Sequence, residues 1–295
     1  MLPPAPIPSA RPERLLAIAS AVAYGHVGNS ACVFPLQRLG AEVWPVATVR
    51  FSNHPGYGAF TGTVTPAAEV RALLDGIAAR GVLGGCDGVL SGYLGDPATG
   101  PAVLDALDAV RAANPAALWA CDPVIGDDGP GIYVRPGIAE FFRDQAPAAA
   151  DVLTPNRFEL SALTGRRVET LAEARAAAGA LSARMRGSGP GVVLASSLPG
   201  EADTIAVLAA SREGAWCVRT PRLPIAVNGT GDLLAGLFLL YLIRLRAAPA
   251  ALGAAVSALH AVLRRTAALG ERELALVAAQ DALVAPGVVF TPEAV

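Results

Sequence analysis

Short apolar runs rich in valine, leucine and isoleucine alternate along the chain with longer alanine-rich stretches whose apolar positions recur at helical spacing. The runs at 14–20 and 42–49 predict strands, and the stretches at 66–80 and 98–114 predict helices. Regular alternation of this kind is typical of βαβ units around one mostly parallel sheet with helices on both faces. The same pattern predicts further strands at 88–90, 118–121, 151–153 and 191–194, and further helices at 29–39, 157–164 and 171–185.

The alternation stops near residue 200. Two β-rich runs at 205–210 and 215–219 flank Glu213-Gly214, which predicts a hairpin and therefore an antiparallel edge to the sheet. From Gly231 onward the pattern is mainly helical. The fold class expected is therefore α/β.

Composition supports a single large domain. Hydrophobic residues make up 53% of the 295 residues and charged residues 16%, which is ample for a large core and argues against disorder. No internal repeat or shift in composition marks a second domain. We expect one domain over 14–285, a disordered, proline-rich N-terminal tail at 1–13 and a C-terminal tail at 286–295.

Charge and hydropathy exclude two classes of partner. The formal net charge of -2 gives no basic field that would hold nucleic acid. The most apolar stretch, 233–243, is far shorter than the roughly 20 residues that span a bilayer. Because residues 1–13 also lack the apolar run of a signal peptide, we expect a cytoplasmic protein without a nucleic-acid or membrane partner.

The types of basic residue are informative, because all 23 of them are arginine. A P-loop kinase needs a phosphate-binding lysine, and an enzyme that uses pyridoxal phosphate as cofactor needs a lysine for the Schiff base. The absence of lysine excludes both classes. The four cysteines form no CxxC pair and the three histidines are scattered, which suggests neither a zinc site nor a disulfide framework.

The sharpest local feature is Asn228-Gly229-Thr230-Gly231-Asp232, directly before the apolar stretch 233–245 that predicts a helix. Glycines there let backbone N–H groups converge at a helix N-terminus, which favours an anion. Asp232 could accept a proton from an alcohol that attacks a phosphoryl group held by those amides. An ordinary N-cap explains the same short pattern equally well.

Two further polar motifs follow predicted strands, where ligands gather in open α/β sheets. Cys121-Asp122-Pro123-Val124-Ile125-Gly126 leads into Asp127-Asp128-Gly129-Pro130-Gly131, an acidic loop that could close over a nucleotide and meet Mg²⁺ or phosphate; a solvated turn is the alternative. Asn156 and Glu159, three residues apart at a helix start, could reach Mg²⁺-bound water or phosphate. A capping box explains that spacing just as well.

Further motifs surround these three in a definite order along the chain. They are Ser20, Tyr24-Gly25-His26-Val27-Gly28-Asn29-Ser30, Leu39-Gly40-Ala41-Glu42-Val43-Trp44-Pro45, Thr48-Val49, Phe51-Ser52-Asn53-His54 and Ser91-Gly92-Tyr93-Leu94-Gly95. Together with the G-x-G-D motif they resemble the ribokinase-like superfamily, and within it the pyridoxal kinase branch, over roughly 15–245. Ordered agreement of so many motifs is far more specific than any one of them.

The resemblance implies an enzyme that phosphorylates the 5′-hydroxyl of pyridoxal, with ATP as co-substrate and Mg²⁺ as its cation, while a K⁺ requirement stays open. It implies Asp232 as the base and the amides of Gly229, Thr230 and Gly231 as the anion hole. The residues implied around the pyridine ring are Ser20, Thr48 and Tyr93.

On the nucleotide side the resemblance implies contacts with phosphate, Mg²⁺ or the closing loop. These residues are Asp122, Asp127, Asp128, Tyr133, Asn156, Glu159, Ser196 and Ser197, with Asp122 and Glu159 as the candidates near the metal.

Two positions depart from the branch. Ala21 stands where it commonly has histidine, and Ala195 stands where it commonly has threonine. From Ala195 we expect a missing hydroxyl beside the nucleotide phosphates, worth on the order of 1 kcal/mol, and hence weaker binding rather than inactivity.

Two other functions remain in competition. One is a hydroxymethylpyrimidine or sugar kinase of the same superfamily, and the other is a non-catalytic ligand-binding homologue. The intact Asp232 argues against the second, because a binding protein has no need of a general base. A homodimer is implied by the resemblance alone, and the preference among pyridoxal, pyridoxine and pyridoxamine is undetermined.

Overall fold

The apolar runs and alanine-rich stretches fold as alternating strands and helices in the computed structural model, which describes residues 11–295. The strands are β1 (Arg14–Val22), β2 (Glu42–Phe51), β3 (Gly62–Val64), β4 (Gly88–Ser91), β5 (Leu118–Cys121), β6 (Gly126–Asp127), β7 (Gly131–Ile132), β8 (Val152–Leu153), β9 (Val192–Pro199), β10 (Thr204–Ser211), β11 (Gly214–Pro221) and β12 (Glu293–Ala294). The helices are α1 (Asn29–Arg38), α2 (Ala67–Ala78), α3 (Thr99–Ala113), α4 (Ile138–Asp144), α5 (Ala146–Ala149), α6 (Arg157–Thr164), α7 (Leu171–Ser182), α8 (Thr230–Leu245), α9 (Ala248–Leu269) and α10 (Gln280–Val284).

Within residues 11–295, one 10-stranded sheet has the order β12-β11-β10-β9-β8-β5-β4-β1-β2-β3. The central strands from β9 to β2 run parallel to one another. At one end β10, β11 and β12 are antiparallel, and at the other β3 is antiparallel to β2. The predicted mostly parallel sheet with an antiparallel hairpin edge is confirmed, and the second antiparallel edge was not predicted.

Each face of the sheet carries its own core, because alternate residues of a strand point to opposite sides. Leu16 and Ile18 of β1 pack in a core shared with α2, α3 and α7. Leu15 and Ala17 pack in a second core shared with α1, α8 and α9. Parallel strands covered on both faces need apolar residues in succession, which explains the continuous apolar runs.

Helix α8 is the most deeply buried helix that bears on the site. Residues 233–240 are buried without interruption, and the helix contacts β4 and β5 at the centre of the sheet. A helix that is apolar on all sides belongs inside a core. Among residues 11–295, no helix combines the length and apolarity needed to cross a lipid bilayer.

The C-terminal residues complete the domain instead of forming the tail predicted at 286–295. Strand β12 pairs with β11, and the Val295 amide donates to the Ala215 carbonyl at 3.0 Å. The Phe290 amide donates to the Ser257 hydroxyl of α9 at 2.9 Å. The prediction failed because a two-residue strand has no sequence pattern of its own and depends on a distant partner.

Of the N-terminal tail predicted at 1–13, residues 1–10 lie outside the described part of the chain. The Arg11 guanidinium pairs with both carboxylate oxygens of Asp87, at 2.9 and 3.0 Å. The Glu13 carboxylate accepts from Arg244 at 2.7 Å. Residues 11–13 are thus attached to the domain.

Asp151, directly before β8, anchors the edge of the sheet opposite the carboxyl ends of its strands. Its buried carboxylate pairs with Arg111 at 2.7 Å and Arg186 at 2.5 Å and accepts from the Trp119 amide at 2.8 Å. Removing one partner of a buried ion pair leaves the other charge uncompensated.

We predict that Asp151→Asn lowers the free energy of unfolding by about 3 kcal/mol, because both guanidinium groups lose their counter-charge. The matched control is Asp281→Asn, which breaks the exposed pair with Arg38 and should cost less than about 1 kcal/mol. Chemical denaturation measures both. Equal losses would show that the Asp151 cluster carries no special share of stability.

Candidate active site

A cleft of about 540 Å³ opens where the central parallel strands end. Each of these strands contributes a lining residue at or near its carboxyl end: Val22, Phe51, Tyr93, Asp122, Thr154 and Ser196. The N-terminus of α8 reaches the same cleft through Gly229 to Asp232. This is the position at which open α/β sheets bind ligands.

Most of the residues singled out from the sequence meet in this cleft. Those that line it are Ser20, Tyr93, Asp122, Asp127, Tyr133, Asn156, Glu159, Ser196, Ser197, Gly229, Thr230, Gly231 and Asp232. Thr48, Asp128 and Ala195 are not among the lining residues.

Gly229 is the N-cap residue directly before α8, and only glycine fits there. Its φ is +81°, and a Cβ added to it would lie 1.8 Å from the carbonyl oxygen of His26. A Cβ added to Gly231 would meet no atom within 4 Å, so the backbone there borders open space. The first residues of α8 line the cleft, and a helix N-terminus in that position suits an anion.

Asp232 lies in the first turn of α8, beside those amides. Burial raises the pKa of its carboxyl group, while a hydrogen bond from the Gly28 amide and the nearby His54 oppose the shift. The Cys32 thiol donates to the backbone carbonyl of Asp232 at 2.9 Å. The carboxylate is thus held by backbone contacts in a position from which it can accept a proton.

Asp122, just beyond β5, is a second buried acid in the cleft. Burial, and secondarily the charge of Asp232, raises the pKa of Asp122 to about 8. The Thr154 hydroxyl donates to Asp122 Oδ1 at 2.8 Å and partly offsets this increase. Within residues 11–295, neither Asp122 nor Asp232 forms an ion pair with an arginine. A ligand that brings a cation would relieve the repulsion between them.

Glu159 and Asn156 form the capping box that was one of two interpretations of their spacing. The Glu159 carboxylate accepts from the amides of Asn156 and Ile125, both at 2.9 Å, and the Asn156 side chain accepts from the Glu159 amide at 2.8 Å. The Asn156 amide group also donates to the Gly126 carbonyl at 2.9 Å. Burial, then the charge of Asp122, raises the pKa of Glu159.

The acidic loop forms the small hairpin β6–β7. Asp127, Pro130 and Tyr133 line the cleft, whereas Asp128 points away from that lining and pairs with Arg157 of α6 at 2.6 Å. The expectation that Asp128 acts beside the nucleotide is therefore not supported by its position. The sequence does not show which of two adjacent acids in a turn faces the cleft, because that depends on how the loop folds.

Thr48 stands behind the cleft and not on its surface. Its side chain is fully buried, and its hydroxyl donates to the Tyr93 carbonyl at 2.5 Å. It can therefore position Tyr93, which does line the cleft, and this indirect place corrects the expectation of a direct ring contact. Ser20 lies in the lining, packed so closely on Gly28 that a Cβ there would be 2.2 Å from its hydroxyl oxygen.

Ala195 belongs to the core and does not border the cleft. It is fully buried in the same core as Val193 and Leu208, while Ser196 and Ser197 line the cleft. The expectation of a missing phosphate-facing hydroxyl at this position is wrong, because the alternation of β9 turns residue 195 to the core. A threonine there would place its hydroxyl among apolar side chains.

His54 also lines the cleft, although no role was predicted for it from the sequence. Its Nδ1 accepts from the Gly56 amide at 3.1 Å. Burial lowers the pKa of His54, and the negative charges of Asp232 and Glu273 partly offset this decrease. A histidine before a Pro-Gly turn at a strand end was the available signal. Other lining residues without an assigned role are Val22, Val27, Val49, Phe51, Pro55, Gly56, Val124, Pro130, Thr154, Val227 and Asn228.

Comparison with known proteins adds independent evidence. A family model described as phosphomethylpyrimidine kinase matches residues 63–276. The chain is 55% identical to a pyridoxal kinase PdxY of Rubrobacter xylanophilus over 94% of this chain and 95% of that protein. It is 52% identical to a pyridoxal kinase PdxY of Deinococcus radiodurans over 96% of this chain and 97% of that protein.

Solved structures agree with these relatives. The fold superposes with a TM-score of 0.88 on pyridoxal kinase from Leishmania donovani in complex with ADP and pyridoxamine, at 28% identity, covering 96% of this chain and 99% of that chain. The complex of that kinase with ADP and pyridoxine gives a TM-score of 0.87 at 29% identity. The predicted ribokinase-like α/β fold is confirmed.

The contrast between two glycines of the α8 N-terminus yields a prediction. Gly229→Ala should lower the free energy of unfolding by about 2 kcal/mol or more, because alanine is strained at positive φ and its Cβ meets the His26 carbonyl. Gly231→Ala should cost nothing and can stabilise by about 0.5 kcal/mol, because the site is open and alanine favours helix. Urea unfolding of both variants checks this; similar effects would contradict the direct backbone contact at Gly229.

Proposed function

The chain belongs to the pyridoxal kinases of the ribokinase-like superfamily, and we propose that it transfers the γ-phosphoryl group of ATP to the 5′-hydroxyl of pyridoxal, with Asp232 as the general base. The expectation of a kinase from the resemblance is thereby confirmed. The observation that carries the finer proposal is the adjacency of Asp232 to the open amides at the start of α8. A proton acceptor and a phosphoryl-binding group would then lie next to each other, as transfer of a phosphoryl group to an alcohol requires.

On the vitamer side, the cleft offers a few polar groups on an apolar wall. Ser20 and Tyr93 would meet the polar atoms of the pyridine ring, with Thr48 holding Tyr93 from behind. The apolar wall comes from Val22, Val27, Val49 and Phe51. An apolar pocket with sparse, placed polar groups suits a small aromatic alcohol.

At the reacting point, Asp232 accepts the hydroxyl proton as the alcohol oxygen attacks. Burial makes its carboxylate a stronger base than an exposed one, and the Gly28 amide keeps it oriented. The amides of Gly229, Thr230 and Gly231 take the charge on the transferring phosphoryl group. Positioning and electrostatic stabilisation suffice, so no covalent intermediate is needed.

On the nucleotide side, Ser196 and Ser197 approach the phosphates from β9, and the β6–β7 hairpin borders them through Asp127 and Tyr133. Ser197 has φ +57°, an unusual conformation for a residue other than glycine. Such conformations are found where the surrounding structure holds a side chain for function.

The Mg²⁺ ion that accompanies ATP is part of the substrate, and the acids present fit that role. Asp122 uses one oxygen for Thr154 and leaves the other for a cation, whereas both oxygens of Glu159 accept from amides, so Glu159 would act through a bound water. Among residues 11–295, no group of three or more metal-ligating side chains forms a closed cage. Mg²⁺ bound mainly by phosphates and water needs none.

A second candidate acceptor is a hydroxymethylpyrimidine, favoured by the description of the family model that matches 63–276. A purely binding role has no such support, since Asp232 and the α8 amides are intact. The cytoplasmic location stays a prediction from the sequence, a homodimer stays a prediction from the resemblance, and a K⁺ requirement stays open.

The direct test is a steady-state assay of the purified protein with Mg-ATP and each acceptor in turn. We expect pyridoxal to give a kcat/KM at least about tenfold above that of the hydroxymethylpyrimidine, because contacts to the ring decide between two similar alcohols. Pyridoxine and pyridoxamine complete the series. A preference for the pyrimidine would reassign the substrate while keeping the phosphoryl transfer.

We predict that Asp232→Asn lowers kcat by about 10²- to 10⁴-fold, because the variant keeps the shape of the side chain and loses the proton acceptor. Pyridoxal affinity, measured by calorimetry, should change little. Asp108→Asn on the exposed face of α3 is the matched control and should keep wild-type turnover. An Asp232→Asn variant with half of wild-type turnover would remove Asp232 from the mechanism.

The β6–β7 hairpin supplies a further prediction. Amides of 126–133 should exchange hydrogen more slowly with Mg-ADP than without it, because Asp127 gains a cation nearby and the hairpin then closes on the nucleotide. The distant hairpin β10–β11 is an internal control whose exchange should not change. Equal protection of 126–133 in both conditions would count against a lid.

A further inference from the structure

Glu273, in the segment between α9 and α10, joins two loops that are far apart in the sequence. Its Oε2 accepts from the His26 amide at 2.8 Å, and its Oε1 accepts from the Tyr57 hydroxyl at 2.7 Å. The fit is tight, because a Cβ added to Gly25 would lie 2.6 Å from the Glu273 carboxyl group. The residue is half-buried and is not part of the cleft lining described above.

The first of the two loops, 23–28, touches the catalytic end of α8. The His26 carbonyl oxygen packs directly on Gly229, and the Gly28 amide hydrogen-bonds to the Asp232 carboxylate. Glu273 holds the amide of the same His26. A shift of this loop would therefore move both the anion hole and the proton acceptor.

The second loop, 52–61, carries His54 into the cleft. The Tyr57 ring lies at its tip, 4.9 Å below the Arg272 guanidinium and edge-on to Tyr24 at 6.0 Å. The hydrogen bond to Glu273 raises the pKa of Tyr57 to about 12. The phenol therefore stays protonated and donates to the carboxylate throughout the neutral range.

From these contacts we infer that Glu273 is a positioning residue for phosphoryl transfer: its carboxylate fixes the 23–28 and 52–61 loops against each other and so sets the place of Asp232 and Gly229 relative to the alcohol. The inference rests on the proposed function for its kinetic consequence. The tie between the loops is independent of the substrate. Glu273 acts through the backbone of His26 and does not itself touch the reacting atoms.

Two substitutions at Glu273 separate the effect of its hydrogen bonds to the two loops from the effect of its negative charge. Glu273→Gln keeps an acceptor for the His26 amide, and its amide group can donate to the Tyr57 oxygen after the hydroxyl rotates. Glu273→Ala removes both bonds. Glu271→Ala, two residues earlier and exposed, is the matched control, since no side-chain contact of Glu271 to either loop is present within residues 11–295.

The first measurement is hydrogen exchange without substrates. Glu273→Ala should raise exchange of the amides in 24–30 by about tenfold or more, because loop opening then breaks fewer contacts. Glu273→Gln and Glu271→Ala should stay near wild type. Unchanged exchange in Glu273→Ala would show that Glu273 does not hold the two loops together, whichever substrate the enzyme phosphorylates.

The second measurement is steady-state kinetics with Mg-ATP and pyridoxal. Glu273→Ala should lower kcat by about tenfold with the ATP KM nearly unchanged, because misplacement of the reacting groups acts on the chemical step. Glu273→Gln should recover most of the loss. Tyr57→Phe should give a smaller loss and none in addition when combined with Glu273→Ala.

The possible outcomes separate the positioning role of Glu273 from the proposed kinase activity. A wild-type protein that phosphorylates no vitamer would remove the proposed function and leave the exchange result valid. Faster exchange with unchanged kcat, or a loss of thermal stability alone, would make Glu273 a structural residue and overturn the positioning role.

Discussion

The site depends on a direct backbone contact between the loop after β1 and the N-terminus of α8. The His26 carbonyl lies where a Cβ of Gly229 would be, and the Gly28 amide reaches the Asp232 carboxylate. Because no side chain separates the two segments, the end of a core strand fixes the start of a core helix. The proposed anion hole and proton acceptor would thereby share the rigidity of both cores.

The protein contributes negative charge to the site through buried carboxylates and contributes no lysine. Asp122 and Asp232 are buried close enough to perturb each other, and the chain contains no lysine to neutralise them. In the proposed reaction the nucleotide would bring its own cation, and its binding would relieve this repulsion. Capping by Glu159 meanwhile fixes the Gly126 end of the hairpin without adding a positive charge.

The sequence predicted those parts of the molecule that local pattern encodes. Periodicity predicted α6 and β5 with their observed bounds, and the contiguous motif before α8 identified residues 229–232, which line the cleft. Thr48, Asp128 and Ala195 were misplaced because a motif does not say which way a side chain turns. Strand alternation could have placed Ala195 in the core, because Val193 on the same face of β9 is in that core. The hydrogen bonds of Glu273 join loops that are far apart in the sequence, so no local pattern predicted them.

The most direct measurement is a crystal structure of the protein with pyridoxal and a non-hydrolysable Mg-ATP analogue. We expect the 5′-oxygen at about 2.6–3.2 Å from the Asp232 carboxylate, the reach of a general base, with the terminal phosphate on the amides of Gly229 to Gly231. A 5′-oxygen held by another base, or a phosphate placed away from the start of α8, would contradict it.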